Sequence, residues 1–160
     1  MEDKEFSRPA TVEDLKVIIQ SLNEHKVPYV LIGGYALFAH GYHRATEDID
    51  LLLPASAEVG SLLIKALMVL PDKAARDLKI DWFKEGDNIR LADEVVVDIM
   101  FNACGETYDS LQNHIEQVDL DGLPVNTLNL EGLLKTKQTV REKDIADRLV
   151  LQSVLDKLGK

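Results

Sequence analysis

Val30-Leu31-Ile32-Gly33-Gly34-Tyr35-Ala36-Leu37-Phe38-Ala39-His40-Gly41-Tyr42-His43-Arg44-Ala45-Thr46-Glu47-Asp48-Ile49-Asp50-Leu51-Leu52-Leu53 is the stretch on which the reading of this chain turns. Residues 28–32 form a short apolar run closed by glycines, the pattern of a core strand. Gly33 and Gly34 carry no Cβ, so backbone amides there can come close to an anion. The helix-compatible residues 35–40 follow directly, which places free N–H groups of a helix start where a phosphate can sit. A loop then leads to a second strand that begins with Asp48 and Asp50. Side chains two apart on a strand share a face, about 6–7 Å apart. Ile49, Leu51 and Leu53 then turn to the core. Two ionised carboxylates at that spacing repel by roughly 2–3 kcal/mol at an effective dielectric near 20. A strand end in water tolerates this, and so does a divalent cation held between the two groups. Hard cations such as Mg²⁺ take one or two carboxylates plus substrate phosphates. A phosphate cradle joined to a carboxylate pair describes a metal-nucleotide site.

Gly33-Gly34, thirteen residues, then Asp48-Ile49-Asp50 resembles the signature of the nucleotidyltransferase superfamily of the DNA polymerase beta type. The block from Gly33 through Arg44-Ala45-Thr46-Glu47-Asp48-Ile49-Asp50-Leu51 is similar to its small bacterial members, which include aminoglycoside and lincosamide nucleotidyltransferases and nucleotidyltransferase-like antitoxins. With the downstream features below, the resemblance extends over most of the chain. It implies an α/β fold, a minimal nucleotidyltransferase domain with a mixed β-sheet flanked by helices and with C-terminal helices.

The chain of 160 residues fits a single domain, with a core over about 11–128 and C-terminal helices over about 129–158. Its 46% hydrophobic content suits a globular protein, and no apolar run approaches the length of a membrane span. Residues 1–5 are charged, with no apolar signal segment. A lone Cys104 excludes an internal disulfide framework, and a cytoplasmic protein is expected. A net charge of −10 argues against duplex DNA as partner, because phosphate contacts need clustered Lys and Arg. It suits a small substrate whose charge is handled locally.

Further elements follow from pattern. Thr11 caps a helix that Asp14 supports and that runs to about His25. Ser56 opens a helix over 56–70, closed by Pro71. A strand is expected over 79–83, another over 88–91, and a β-branched one over 94–101. A helix is expected over 108–117 and a hairpin over 118–127 around Asp121-Gly122. Asn129 caps a helix over 130–140, and a last helix covers 143–158.

Asp98 interrupts the apolar strand. A buried carboxylate needs a partner or a metal. The resemblance makes it the third acidic residue of the site, on a strand adjacent to that of Asp48 and Asp50; the alternative is a structural pair with Arg90 or Arg76. Downstream, Leu133 to Asp147 also resembles the small family members, which carry a lysine on a late helix and then a basic string. Lys137, Arg141 and Lys143 are the triphosphate contacts this implies, with Lys135 as the alternative to Lys137. Val140 stands where the family pattern has a glycine. The bases can equally form a solvated helix face, as Lys143 and Asp147 do at i,i+4 spacing. Arg44 and Thr46, on the loop before Asp48, either meet a phosphate or hold the loop. His40 and His43 lack a third metal ligand of fitting spacing.

The resemblance implies transfer of a nucleoside monophosphate from a nucleoside triphosphate, ATP among them, to a hydroxyl of an acceptor that is a small molecule, a protein or RNA. Asp48, Asp50 and Asp98 would be the catalytic carboxylates and the ligands of Mg²⁺ or Mn²⁺; Gly33, Gly34, Arg44, Lys137, Arg141 and Lys143 would bind the nucleotide's phosphates. The rival expectation is an antitoxin-type relative that binds a helical ribonuclease toxin and has lost turnover. No membrane partner is expected.

Overall fold

The computed structural model describes residues 7–159; the charged residues 1–5 lie outside that range. The first helix, α1 (Val12–Glu24), begins in a reciprocal capping box, with the Thr11 hydroxyl accepting from the Asp14 amide and the Asp14 carboxylate accepting from Thr11 N–H. Leu15, Ile18, Ile19 and Leu22 form its fully buried stripe. Strand β1 (Val30–Ile32) is buried throughout, as its unbroken apolar run demands. Gly33 follows with φ +77°, a left-handed conformation that suits glycine, and starts α2 (Gly34–Ala39). Strand β2 (Ile49–Leu52) and helix α3 (Ala57–Leu67), capped by Ser56, complete the first half.

Helix α3 stops three residues before the expected Leu70. Leu70 turns into the core instead, and the carboxylate of the buried Asp93 accepts the N–H groups of Asp72 and Ala74, which pins the turn. Residues expected as a strand over 79–83 form helix α4 (Ile80–Glu85), ended by Gly86. Trp82 and Phe83 carry β-propensity, but only Phe83 finds a buried place: it packs on Gly60 of α3, where a Cβ would overlap its ring, and edge-on to Phe101 at 5.8 Å. Tertiary packing decides against local preference here.

Strands β3 (Ile89–Ala92) and β4 (Val96–Met100) follow the expected order. The helix expected over 108–117 is absent. Thr107 and Ser110 close a turn by exchanging side-chain bonds with each other's amides, a short 3₁₀ turn covers Gln112–His114, and β5 (Ile115–Leu120) begins. Pairing with β6 (Leu123–Leu128) draws 115–117 into the hairpin, which turns at Asp121 and Gly122, both at positive φ.

The last helices are α5 (Leu130–Lys135) and α6 (Glu142–Lys157). Helix α5 ends well short of the expected Val140. The Thr136 hydroxyl donates back to Leu133 O, and Arg148 of α6 donates to the carbonyls of Lys137 and Thr139, so side chains take up carbonyls at the helix end and just beyond it.

The six strands make one mixed sheet in the order β3-β4-β2-β1-β6-β5. β2 runs parallel to β4, and β1 parallel to β6; the other neighbours are antiparallel. The architecture is α/β, with helices on the sheet and the last two following β6. Among the described residues, no helix is long and apolar enough to cross a membrane.

Candidate active site

Parallel pairing of β2 with β4 sets Asp50 directly opposite Asp98. Antiparallel pairing of β3 with β4 sets Arg90 opposite Asp98 on the other side. Strand register thus brings together residues from three separate parts of the chain. Asp48, just before β2, joins them: the Arg90 guanidinium donates from Nη1 to both oxygens of Asp98 at 3.1 and 3.2 Å, and from Nη2 to Asp48 Oδ2 at 3.2 Å. The pairing of Asp98 with Arg90, weighed from sequence as an alternative to a metal role, is therefore present within the carboxylate cluster itself.

Asp50 sits deepest. Burial, with Asp98 beside it, pushes its carboxyl up to about 7, while the Lys137 charge pulls the other way. Asp98 is also raised, chiefly by burial, with Arg90 opposing and Asp48 adding. Among the described residues no guanidinium or ammonium group bonds Asp50. Its charge, when ionised, has no neutralising partner in contact, at the centre of a cleft.

The glycines serve this arrangement in a way their sequence does not show. A Cβ on Gly33 would overlap the Asp50 carboxylate, and one on Gly34 would fall 2.6 Å from Thr46 and 2.9 Å from Arg44. Both missing side chains make room for the protein's own polar groups.

Of the bases, Lys137 is buried and faces the cleft, whereas Lys135 is exposed and lines none of its walls. The early end of α5 is what leaves Lys137, and not Lys135, on the cleft wall. Lys137 Nζ lies 2.8 Å from Asp147 and 3.9 Å from Asp144, two buried carboxylates of α6. Arg44 completes the network, with Nε and Nη2 at 2.7 and 2.9 Å from Asp147. Burial raises the Asp147 carboxyl, but the hydrogen bonds from Arg44 and Lys137 outweigh it and hold the group below the usual carboxylate range. Asp144 and Asp147 escape sequence reasoning because Asp147 sits one turn after Lys143 and reads as half of a surface pair; only the contact of α6 with the loop at Arg44 reveals its partners. Arg141 bonds Asp144 at 3.1 Å yet stays 74% exposed, and Lys143 is exposed beside Gly34 and Asp48.

These groups border two cavities that share Asp50, Lys137 and Arg141. One, of about 180 Å³, lies between Asp48, Asp98, Arg90, Thr46 and Lys143; the other, of about 280 Å³, is walled by Gly33, Asn88, Asn102 and Thr139. The histidines take no part: His40 Nε2 is 2.8 Å from Leu128 O, and His43 packs on Phe38. Cys104 bonds Thr136 O through its thiol.

Among the described residues, no three His, Cys, Asp or Glu side chains form a ready metal cage. The donor set nevertheless fits a hard cation of the Mg²⁺ type, which needs only one or two carboxylates when phosphate oxygens supply other positions. Asp48, Asp50 and Asp98 offer carboxylate oxygens alone, and the two most buried have proton affinities raised by burial and by their acidic neighbours.

No protein-family model matches the chain, and no curated protein matches it in sequence. Solved structures do share its fold. A Thermotoga maritima protein solved as a candidate nucleotidyltransferase aligns with a TM-score of 0.57 at 19% identity, covering 91% of this chain and 92% of its own. The antibiotic-resistance factor ANT(2'')-Ia aligns at 0.57 and 16% identity, covering 88% of this chain and 82% of its own. An antigenic nucleotidyltransferase-like protein from Paracoccidioides brasiliensis aligns at 0.52 and 19% identity, covering 91% and 78%. The fold of this chain is nucleotidyltransferase-like.

Proposed function

We propose that this chain, with its nucleotidyltransferase-like fold, is a metal-dependent nucleotidyltransferase that moves a nucleoside monophosphate from a nucleoside triphosphate to an acceptor hydroxyl. The observation that carries the reading is the register that sets Asp50 against Asp98, with Asp48 at the mouth and bases around them. A bound Mg²⁺ or Mn²⁺ would supply charge neutralisation at the reacting phosphorus and orient the triphosphate. Asp48, Asp50 and Asp98 would hold it. Asp98, whose proton affinity is raised, takes the proton of the attacking hydroxyl. Arg141 and Lys143, exposed on the cleft wall, bind the triphosphate and neutralise the leaving pyrophosphate. Lys137 and Arg44, tied to Asp147, keep two positive charges beside the carboxylates and hold α6 against the site.

A second reading, a partner-binding protein without turnover, is favoured by apolar side chains near and on α6 that face solvent: Val140 is 90% exposed and Leu149 69%. One experiment addresses both. The protein is incubated with nucleoside triphosphates labelled at the α-phosphate, with Mg²⁺, in the presence of small hydroxyl compounds, RNA or cell extract. Label that moves to an acceptor, and fails to move with Asp50→Asn, supports transfer; no transfer under any condition, from protein that binds nucleotide, supports the second reading.

A further inference from the structure

We infer that Arg90 is the resident counter-cation of the carboxylate cluster, and that a divalent cation reaches Asp48 and Asp98 by exchange with its guanidinium. The inference rests on the metal-dependent reading above.

One guanidinium spans two of the three carboxylates, with three contacts between 3.1 and 3.2 Å. The backbone register that sets Arg90 opposite Asp98 makes the pairing part of the sheet rather than of a loop. Exposure is unequal across it. The Arg90 side chain is 55% exposed, whereas those of Asp48 and Asp98 are 31% and 24% exposed. β3 is an edge strand, so the long side chain can swing outward without disturbing packing.

The two kinds of cation compete for the same carboxylates. Mg²⁺ demands oxygens at about 2.0–2.1 Å in near-octahedral array, whereas a guanidinium fork engages carboxylates in plane at about 2.7–3.2 Å. A guanidinium seated on both oxygens of Asp98 and on Oδ2 of Asp48 takes up lone pairs, space and negative charge that the metal needs. In the metal-free protein Arg90 offsets the repulsion of carboxylates that would otherwise face one another bare. Arg90 already lines the cavity that Thr46 and Lys143 also line, so a phosphate bound there is the natural partner of its released guanidinium. Metal and triphosphate therefore favour each other's binding: the metal frees the fork, and the phosphate engages it.

The test is calorimetric titration of the full chain with Mn²⁺ alone, comparing wild type, Arg90→Gln and Arg90→Lys, with melting temperatures in chelator measured alongside. Exchange predicts that Arg90→Gln binds Mn²⁺ about tenfold or more tightly than wild type while melting lower in chelator, because both the competitor and the counter-charge are gone. Arg90→Lys keeps the charge but loses the fork, and is expected to bind Mn²⁺ more tightly than wild type and less tightly than Arg90→Gln. Equal or weaker binding by Arg90→Gln, or wild-type affinity in Arg90→Lys, overturns the exchange and leaves the metal reading standing. An absence of Mn²⁺ binding in all three folded proteins overturns both.

Discussion

Asp50 and Asp98 occupy directly opposed positions on parallel neighbouring strands, forty-eight residues apart in the chain, with Arg90 bonded to the second and not to the first. This asymmetry makes Asp50 the residue whose charge the metal-free protein tolerates least. Asp50→Asn is expected to leave stability in chelator unchanged or to raise it by about 1–3 kcal/mol, through relief of like-charge repulsion. The same variant is expected to lose the stabilisation by Mg²⁺ and the transfer activity together. Thermal melts with and without Mg²⁺ check this; a destabilised variant that still responds fully to Mg²⁺ would falsify the metal role of Asp50.

The raised Asp50 carboxyl has a signed consequence for pH. In the unfolded chain the group titrates near 3.9, and in the folded metal-free protein near 7. Between those values the native state holds a proton that the unfolded state has lost, so this contribution to stability falls as pH rises toward 7. The depressed carboxyls of Asp14 and Asp147 act in a lower window, below the ordinary carboxylate range. Urea unfolding in chelator should therefore show a more stable wild type at pH 5.5 than at pH 8, with the difference reduced in Asp50→Asn. An identical pH dependence in the two proteins refutes the assignment.

Removing Asp147 is expected to be costly. Its carboxylate is shared by Lys137 and Arg44, and Asp147→Ala would leave the buried Lys137 ammonium with only the more distant Asp144 at 3.9 Å. Breaking a buried pair from one side typically destabilises by about 3–5 kcal/mol. Equilibrium denaturation measures it, and Lys137→Met combined with Asp147→Leu should recover part of the loss, because no buried charge of that pair is then left alone. A loss below about 1 kcal/mol in the single variant would mean that the network is solvated.

Gly33→Ala combines a left-handed backbone with a Cβ placed on the Asp50 carboxylate. A destabilisation of about 1–3 kcal/mol is expected, together with weaker Mn²⁺ binding as Asp50 is displaced. Gly34→Ala meets Thr46 and Arg44 instead, and its effect should fall on stability more than on metal affinity. Parallel unfolding and Mn²⁺ titrations of the two variants separate these roles; equal losses of metal affinity would show that they are not distinct.

Arg141→Ala tests the substrate side. The guanidinium is largely in solvent, so little stability should be lost, while the dissociation constant for a nucleoside triphosphate should rise by roughly tenfold, the scale of one charge-assisted phosphate contact. Nucleotide titration decides; unchanged affinity removes Arg141 from the phosphate site.

Local chemistry in the sequence was enough to determine the elements whose signals are self-contained. The Thr11–Asp14 box, the Ser56 and Asn129 caps and the Asp121-Gly122 turn each satisfy backbone groups within a few residues, and each stands where expected; the apolar run into Gly33 marks its buried strand by composition. The acidic pair Asp48 and Asp50 and the isolated Asp98 were legible for the same reason: a carboxylate in an apolar strand is conspicuous wherever the strand goes. Only the tertiary structure decided the rest. Residues 80–85 became a helix because Phe83 had a place against Gly60, and 115–117 a strand because β6 offered a partner. Lys137 rather than Lys135 faces the site because Arg148 captures the carbonyls beyond α5. Arg90 meets Asp98 through strand register, and Asp147 meets Arg44 across 103 residues. A charge's partner is set by where the folded backbone carries it, and long-range pairing of that kind leaves no periodic trace along the chain.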